Sequence, residues 1–415
     1  MTKKIALIGN MNNNFFAITR HLRDLGYDAH LFFRPVLGSE HFHPKSDTFK
    51  LEYKEFCHEV NWLDRGFERM QDDVIKNQIK GFDFYIGQGD EAAAAYKCGF
   101  NMDVYYPYGS DIYKYAYQPQ KYSLKTKIIY PLRRGKYNVS REQLKQGPIA
   151  KYLRGVIVNA DNILAEYTNE DYDKKIKGLN FKGTYNYVPM PFIYLNEYES
   201  IKDWTNADVH WKSIVNKIRQ ENDFLILYHG RQEWKTYHNE FTQKNTHYLI
   251  IGFANFIKKN PSVRAGLIML EYGTDVAHSK KLIEQLGITK WVHWMPKMYR
   301  KDLMFLINSV DICCGQFDRS YLTFGAIVES MQMKKPIIHY RTDSLYADKY
   351  PCLYPMFNAH NAEQIENAIA KATSDPELLK KMGEDACQWI KTFFVQKPIE
   401  FLQSLIENKF QKQLP

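Results

Sequence analysis

The sequence is most informative first through what it lacks. No Gly-x-Gly-x-x-Gly follows the first strand-like run, where only Gly9 stands before Asn10-Met11-Asn12-Asn13-Asn14. A dinucleotide fingerprint is therefore excluded. The six cysteines among 415 residues show no Cys-x-x-Cys spacing, and Cys313 and Cys314 are adjacent inside an apolar run. This pattern reads as free, structural thiols of a reducing compartment and excludes a disulfide framework. No run approaches the roughly 18 apolar residues a membrane span requires. Met1 to Lys4 lead directly into Ile5-Ala6-Leu7-Ile8-Gly9, the shape of a first strand rather than a signal core. The expected setting is cytoplasmic. A Gly-x-Ser-x-Gly elbow, a His/Cys metal spacing, a 20-to-50-residue repeat and low-complexity segments are also absent.

Acidic residues are scarce in one stretch. Between Tyr113 and Arg154 only Glu142 opposes eleven Lys and Arg, among them Arg133 and Arg134, with tyrosines interleaved. Such a segment suits an anionic membrane surface or a phosphorylated headgroup, which would make the protein peripheral on the inner face of the membrane. A solvated basic face is the plain alternative. No recognised nucleic-acid motif accompanies the net charge of +9, so nucleic acid is not an expected partner.

What is present is alternation. Strand-like runs at Ile5–Gly9, Ala29–Phe33, Phe84–Gly87, Val104–Pro107 and Val156–Asn159 alternate with helical periods such as Phe15–Leu25, closed by Gly26. The pattern restarts at Phe224–Tyr228 and continues through Ala265–Leu270, Val292–Trp294, Asp311–Cys314 and Pro336–Ile338. Alternation of this kind marks an α/β fold with a parallel sheet covered on both faces. The restart predicts two doubly wound, Rossmann-like domains, residues 1–200 and 223–385. Residues 201–222 are expected as a linker, and 386–415 as a terminal helix packing back on the first domain.

In such sheets ligands sit beyond the carboxyl ends of strands, near helix N-termini. After Phe224–Tyr228 come His229, Gly230 and Arg231, with Lys244 further on; Arg and Lys can place a planar fork and a point charge on a diphosphate. Phe324-Gly325-Ala326 opens a helix with Glu329 one turn in, placed to accept the two hydroxyls of a ribose. In the first half, Gly109-Ser110-Asp111 and Gly87-Gln88-Gly89-Asp90-Glu91 are polar strand ends. Asp111 is a candidate to orient or deprotonate an acceptor hydroxyl or, alternatively, a helix cap. Asn12 and Asn13 are candidates to face an acceptor. Asp171-Tyr172-Asp173 spells an Asp-x-Asp in a helical context, and Asn138-Val139-Ser140 a glycosylation acceptor. Neither is assigned a role.

From Tyr228 to Ile338 the chain resembles the C-terminal domain of glycosyltransferase family 4, retaining enzymes of GT-B architecture. The resemblance is carried by Gly230-Arg231, Lys244, Glu271-Tyr272-Gly273, Trp294-Met295-Pro296-Lys297, Asp302-Leu303 and Gly325 to Glu329 before Lys335-Pro336-Ile337-Ile338. The first half is similar more loosely, through strand one, residues Asn10 to Asn14, and Tyr106 to Asp111. The resemblance implies two domains facing across a cleft and a nucleotide-sugar donor, UDP-linked by preference. It also implies a glycan or lipid-linked acceptor, retention, and no metal or other cofactor. Arg231 and Lys244 look like the diphosphate pair, Glu329 like the second acid of a Glu-x7-Glu motif, and Lys297 stands near the base. The first acid of that motif is replaced by Tyr321, which leaves two alternatives: Tyr321 as a hydrogen-bond donor to the sugar, or neighbouring Asp318 as the source of the carboxylate. That departure keeps open a GT-B sugar-nucleotide epimerase and a non-catalytic sugar-nucleotide-binding protein.

Overall fold

The structure is a computed structural model that describes residues 2–35, 42–116, 147–165, 170–201, 203–204, 207–236 and 243–411. Arg133, Arg134 and Asn138 lie outside the described residues. The chain divides into two compact units, Met1–Tyr194 with Phe394–Pro415, and Leu195–Phe393.

The first unit holds a seven-stranded sheet in the order β3-β2-β1-β4-β5-β6-β7, every pair parallel. Its strands are Lys4–Ile8 (β1), Asp28–Phe33 (β2), Cys57–Glu59 (β3), Phe84–Gly87 (β4), Val104–Tyr105 (β5), Asn162–Ala165 (β6) and Thr184–Tyr187 (β7). Ile5, Ala6, Leu7 and Ile8 are all fully buried because helices cover both faces of the sheet, which is why the strand reads as an unbroken apolar run. The first helix, Asn14–Asp24, stops at Gly26, whose φ of 87° is the left-handed turn that glycine adopts without steric cost.

The second unit holds six parallel strands in the order β10-β9-β8-β11-β12-β13. They are Phe224–Tyr228 (β8), Ala265–Leu270 (β9), Val292–Met295 (β10), Ile312–Cys314 (β11), Ile337–His339 (β12) and Phe357–Asn358 (β13). All six cysteines are unpaired, and only Cys352 is exposed. Cys313 and Cys314 lie in β11, where burial pushes the Cys313 thiol up to about 12.

Three expectations need correcting. Val156–Asn159 is not a strand but the end of the helix Gly147–Asn159, and the strand follows at Asn162. Gly155 explains this: its Cα packs on the Tyr96 ring, where a Cβ would come within 2.4 Å, so the apolar run serves a helix–helix contact. Residues 201–222 are not wholly a linker, because the second unit begins at Leu195 and contains the helix Lys212–Glu221. Val215 and Ile218, three apart on that helix, are buried, and Arg219 reaches Asp311 at 2.5 Å. Residues 386–415 are not one helix. The helix Pro376–Lys391 stays with the second unit, a π-turn covers Thr392–Gln396, and the helix Lys397–Gln411 joins the first unit. That last helix is held by ion pairs of Glu407 with Lys3 and of Lys409 with Asp103, the latter at 2.6 Å. Among the described residues no helix is long and apolar enough to cross a membrane.

Candidate functional site

Strand order reverses between β8 and β11 in the second unit, so the crevice that doubly wound sheets use for ligands opens there. The loop leaving β8 is pinned from below. Gln232 donates its N–H to the Tyr272 carbonyl at 2.7 Å and accepts from the Asp275 N–H at 2.9 Å. The Asp275 carboxylate accepts from the N–H groups of Trp234 and Lys235, both at 2.7 Å, and from Thr236. Burial works against that charge. The Thr236 hydroxyl and the Lys235, Trp234 and Thr236 N–H groups outweigh it and hold the carboxyl down to about 2. Gly273 is required beneath the loop, because a Cβ there would meet Gln232 N at 2.4 Å, and its φ is 113°. Nothing in the sequence pattern marked Asp275, since one aspartate before a helix reads as an ordinary cap.

Arg231 emerges from this loop with its side chain 42% exposed, its Nη1 3.2 Å from Glu233 Oε1. Lys244 is tied to the same loop through its N–H, which donates to the Glu233 carbonyl at 2.6 Å. Its ammonium donates to Gln316 Oε1 and lies 5.7 Å from the centroid of the Tyr321 ring and 5.5 Å from that of Phe324. Burial, then the charge of Arg231, bring Lys244 down to about 8, with Glu233 and Asp318 opposing. Two cations thus share a half-closed strand end, a setting that favours a bound anion.

Glu329 is buried and occupied on both oxygens: Oε1 accepts from Arg300 Nε at 3.0 Å, and Oε2 lies 3.2 Å from His229 Nε2. Burial raises its pKa, but His229 and Arg300 outweigh that, and the carboxyl is held below its ordinary value. Arg300 was not foreseen, because its link to Glu329 exists only once two helices are packed. Phe324, Gly325 and Ala326 open the helix Gly325–Gln332, with nothing within 4 Å of where a Gly325 side chain would stand. Gly230 packs on the Tyr228 hydroxyl, where a Cβ would come within 2.9 Å. Lys297 is exposed after β10, its ammonium 5.0 Å from the centroid of the Tyr272 ring. Tyr321 is half-buried, and its carbonyl accepts from His339 Nε2 at 2.8 Å.

The first unit has its own strand-end cavity, of about 590 Å³, at the reversal between β1 and β4. Asn10 and Met11 follow β1, Arg34 follows β2, and Gln88, Asp90 and Glu91 follow β4; all line it, with Tyr108. Arg34 Nε lies 3.1 Å from Glu91 Oε1. Burial raises the carboxyls of Asp90 and Glu91, with the Arg34 charge opposing it in both. Asp111 is fully buried and does not line this cavity. Its Oδ2 accepts from the Tyr105 hydroxyl at 2.8 Å and the Tyr108 N–H at 3.2 Å, its Oδ1 from the Ile112 N–H at 2.9 Å, and burial lifts it to about 6. These bonds tie the carboxylate to Tyr105 and to the backbone on either side of it, at the start of the Asp111–Ala116 turn. Asn13 is also fully buried, donating to Ser46 Oγ at 3.2 Å, and Asn12 and Asn13 take left-handed φ values of 53° and 60°. They form the turn that follows Asn10 and Met11. Asp171 and Asp173 lie in the helix Glu170–Gly178. Among the described residues no group of three or more His, Cys, Asp and Glu is placed to hold a metal.

The two parallel sheets with flanking helices are the GT-B fold. The chain is similar to HepE of Anabaena in complex with UDP, at 14% identity and a TM-score of 0.58 over 98% of this chain and 100% of that one. It is similar to sucrose-phosphate synthase of Thermosynechococcus elongatus at 11% identity and a TM-score of 0.57, over 99% and 100%. A putative UDP-N-acetylglucosamine 2-epimerase of Listeria monocytogenes matches at 10% identity and a TM-score of 0.52, over 99% and 97%. No curated protein matches the chain. Residues 214–389, which lie within the second unit, match the family model of glycosyl transferases group 1.

Proposed function

We propose that the protein transfers a sugar from a UDP-sugar to a hydroxyl of a glycan or lipid-linked acceptor, with retention and without a metal. The carrying observation is the Arg231 and Lys244 pair at the end of β8, with Lys244 half-buried and tied by its N–H to the loop that bears Arg231. A nucleoside diphosphate leaving group develops negative charge, and preorganised cations at that position stabilise it. Support for uridine comes from HepE, whose structure holds UDP. Glu329, kept ionised by Arg300 and His229, is the ribose acceptor in this reading.

The acceptor belongs in the first unit's cavity, where Asp90, Glu91, Asn10 and Gln88 offer oxygens to sugar hydroxyls. The basic run around Arg133 and Arg134 holds the enzyme to an anionic membrane, which makes it a peripheral protein of the cytoplasmic face. A thermal-shift screen of UDP-, GDP-, CMP- and dTDP-sugars, followed by donor hydrolysis, tests the reading. Stabilisation by UDP that disappears in both Arg231→Ala and Lys244→Ala is the expected result. Unchanged turnover in both variants would falsify it. Conversion of the donor sugar with no acceptor present would instead favour the epimerase.

A further inference from the structure

A nucleotide-sugar asks two things of its site. Its diphosphate needs hydrogen-bond donors, whereas its sugar hydroxyls also need acceptors. At the end of β8 donors are plentiful: Arg231, Lys244 and the first turn of the helix at Gly325. The acceptors are fewer, and most are engaged. Both oxygens of Glu329 face Arg300 and His229. Gln316 Oε1 takes the Lys244 ammonium, and Asp318 Oδ1 accepts from Asn245 Nδ2 at 2.9 Å. At 321, where the resemblance expects an acid, stands a tyrosine.

Glu233 differs from all of these. It is 7% exposed, two residues past Arg231, and its carbonyl holds the N–H of Lys244. Its Oε1 lies 3.2 Å from Arg231 Nη1, while its Oε2 is buried with no hydrogen-bond partner among the described residues. A buried carboxylate oxygen without a donor is unfavourable and calls for an explanation. Relaxation of the loop does not relieve it. Gln232 is bonded through both N–H and carbonyl, and Trp234 through its N–H to Asp275, so the backbone on either side of Glu233 is fixed. The carboxylate is therefore held against Arg231, on the loop whose backbone carries Lys244.

We infer that Glu233 supplies the carboxylate for the hydroxyls of the donor's sugar, in place of the acid absent at Tyr321. The assignment rests on the donor-site reading above. The sugar is bonded to the distal phosphate, so the acceptor for its hydroxyls must adjoin the cations that hold that phosphate. Glu233 is the buried acid that does so, and its contact with Arg231 offsets its repulsion of the diphosphate.

The test compares UDP with UDP-glucose, UDP-galactose and UDP-N-acetylglucosamine by calorimetry, taking the UDP-sugar that wild type binds most tightly. Glu233→Gln is expected to bind UDP within about twofold of wild type but that UDP-sugar about tenfold more weakly, one charged hydrogen bond's worth. Tyr321→Glu in the Glu233→Gln background is expected to recover part of the loss. If Glu233→Gln does not fold, Glu233→Asp, which retracts the carboxylate, carries the same expectation. Equal weakening of UDP and UDP-sugar overturns the assignment, because Glu233 would then only brace the cations. A sugar-selective loss in Asp318→Asn but not in Glu233→Gln overturns it as well. Absence of UDP binding by wild type is a separate outcome that removes the donor-site reading and this assignment with it.

Discussion

Two strand ends, one in each unit, sit at the same topological position and carry opposite chemistry. Beyond β8 and β11 the prominent groups are the cations Arg231 and Lys244, set on a loop that Asp275, Gly273 and Tyr272 hold down. Beyond β1 and β4 the prominent groups are the acids Asp90 and Glu91, with Arg34 as partial counter-charge. The sheet topology supplies a crevice in both places, and the side chains decide what enters it. A leaving diphosphate requires positive potential and attacking hydroxyls require acceptors, so under the proposed function one architecture used twice serves a donor at one end and an acceptor at the other.

The comparison breaks first at the cations. Lys244→Ala is expected to lower kcat/KM for transfer by about 100-fold or more, the usual cost of removing one preorganised charge partner. Steady-state kinetics beside an unchanged melting temperature checks this. The pH dependence sharpens the same point. Lys244 is brought down to about 8 in the free protein, and a bound diphosphate favours its charged form. UDP affinity is therefore expected to be flat below that pH and to fall about tenfold per unit above it. A flat titration to pH 9.5 removes Lys244 from the phosphate site. On the acid side, Asp90→Asn with Glu91→Gln is expected to raise acceptor KM about tenfold while UDP affinity stays constant. Equal loss of both would erase the division between the two ends. The smallest effect is expected at the brace. Asp275→Asn should cost about 1–3 kcal/mol of stability. Because the folded carboxyl lies below its ordinary value, its contribution is present at neutral pH and is lost as pH falls from about 4 towards about 2. Urea melts of both proteins at pH 7 and pH 3 should show the gap close.

Much of this frame is legible in the chain. Runs such as Phe224–Tyr228 are continuous because both faces of a parallel strand are covered, and Gly26 ends its helix because it alone takes that φ cheaply. Val156–Asn159 was misleading because a buried helix and a buried strand write the same short apolar run. Asp111 shows the limit at the site. A Gly-Ser-Asp after a strand reads equally as a reactive carboxylate or a cap, and nothing local announces that the Tyr105 hydroxyl and two N–H groups close on it.

Local sequence determined the long apolar strands such as Ile5–Ile8 and Phe224–Tyr228, the helix stop at Gly26 and the presence of Arg231, Lys244 and Glu329 near strand and helix ends, because hydrophobic period and turn chemistry act over a few residues. Tertiary structure alone decided that Arg300 and His229 face Glu329, that Asp275 carries the loop, and that Glu233 is buried beside Arg231. Those facts depend on groups tens of residues apart meeting within hydrogen-bond distance, and no local pattern encodes that distance.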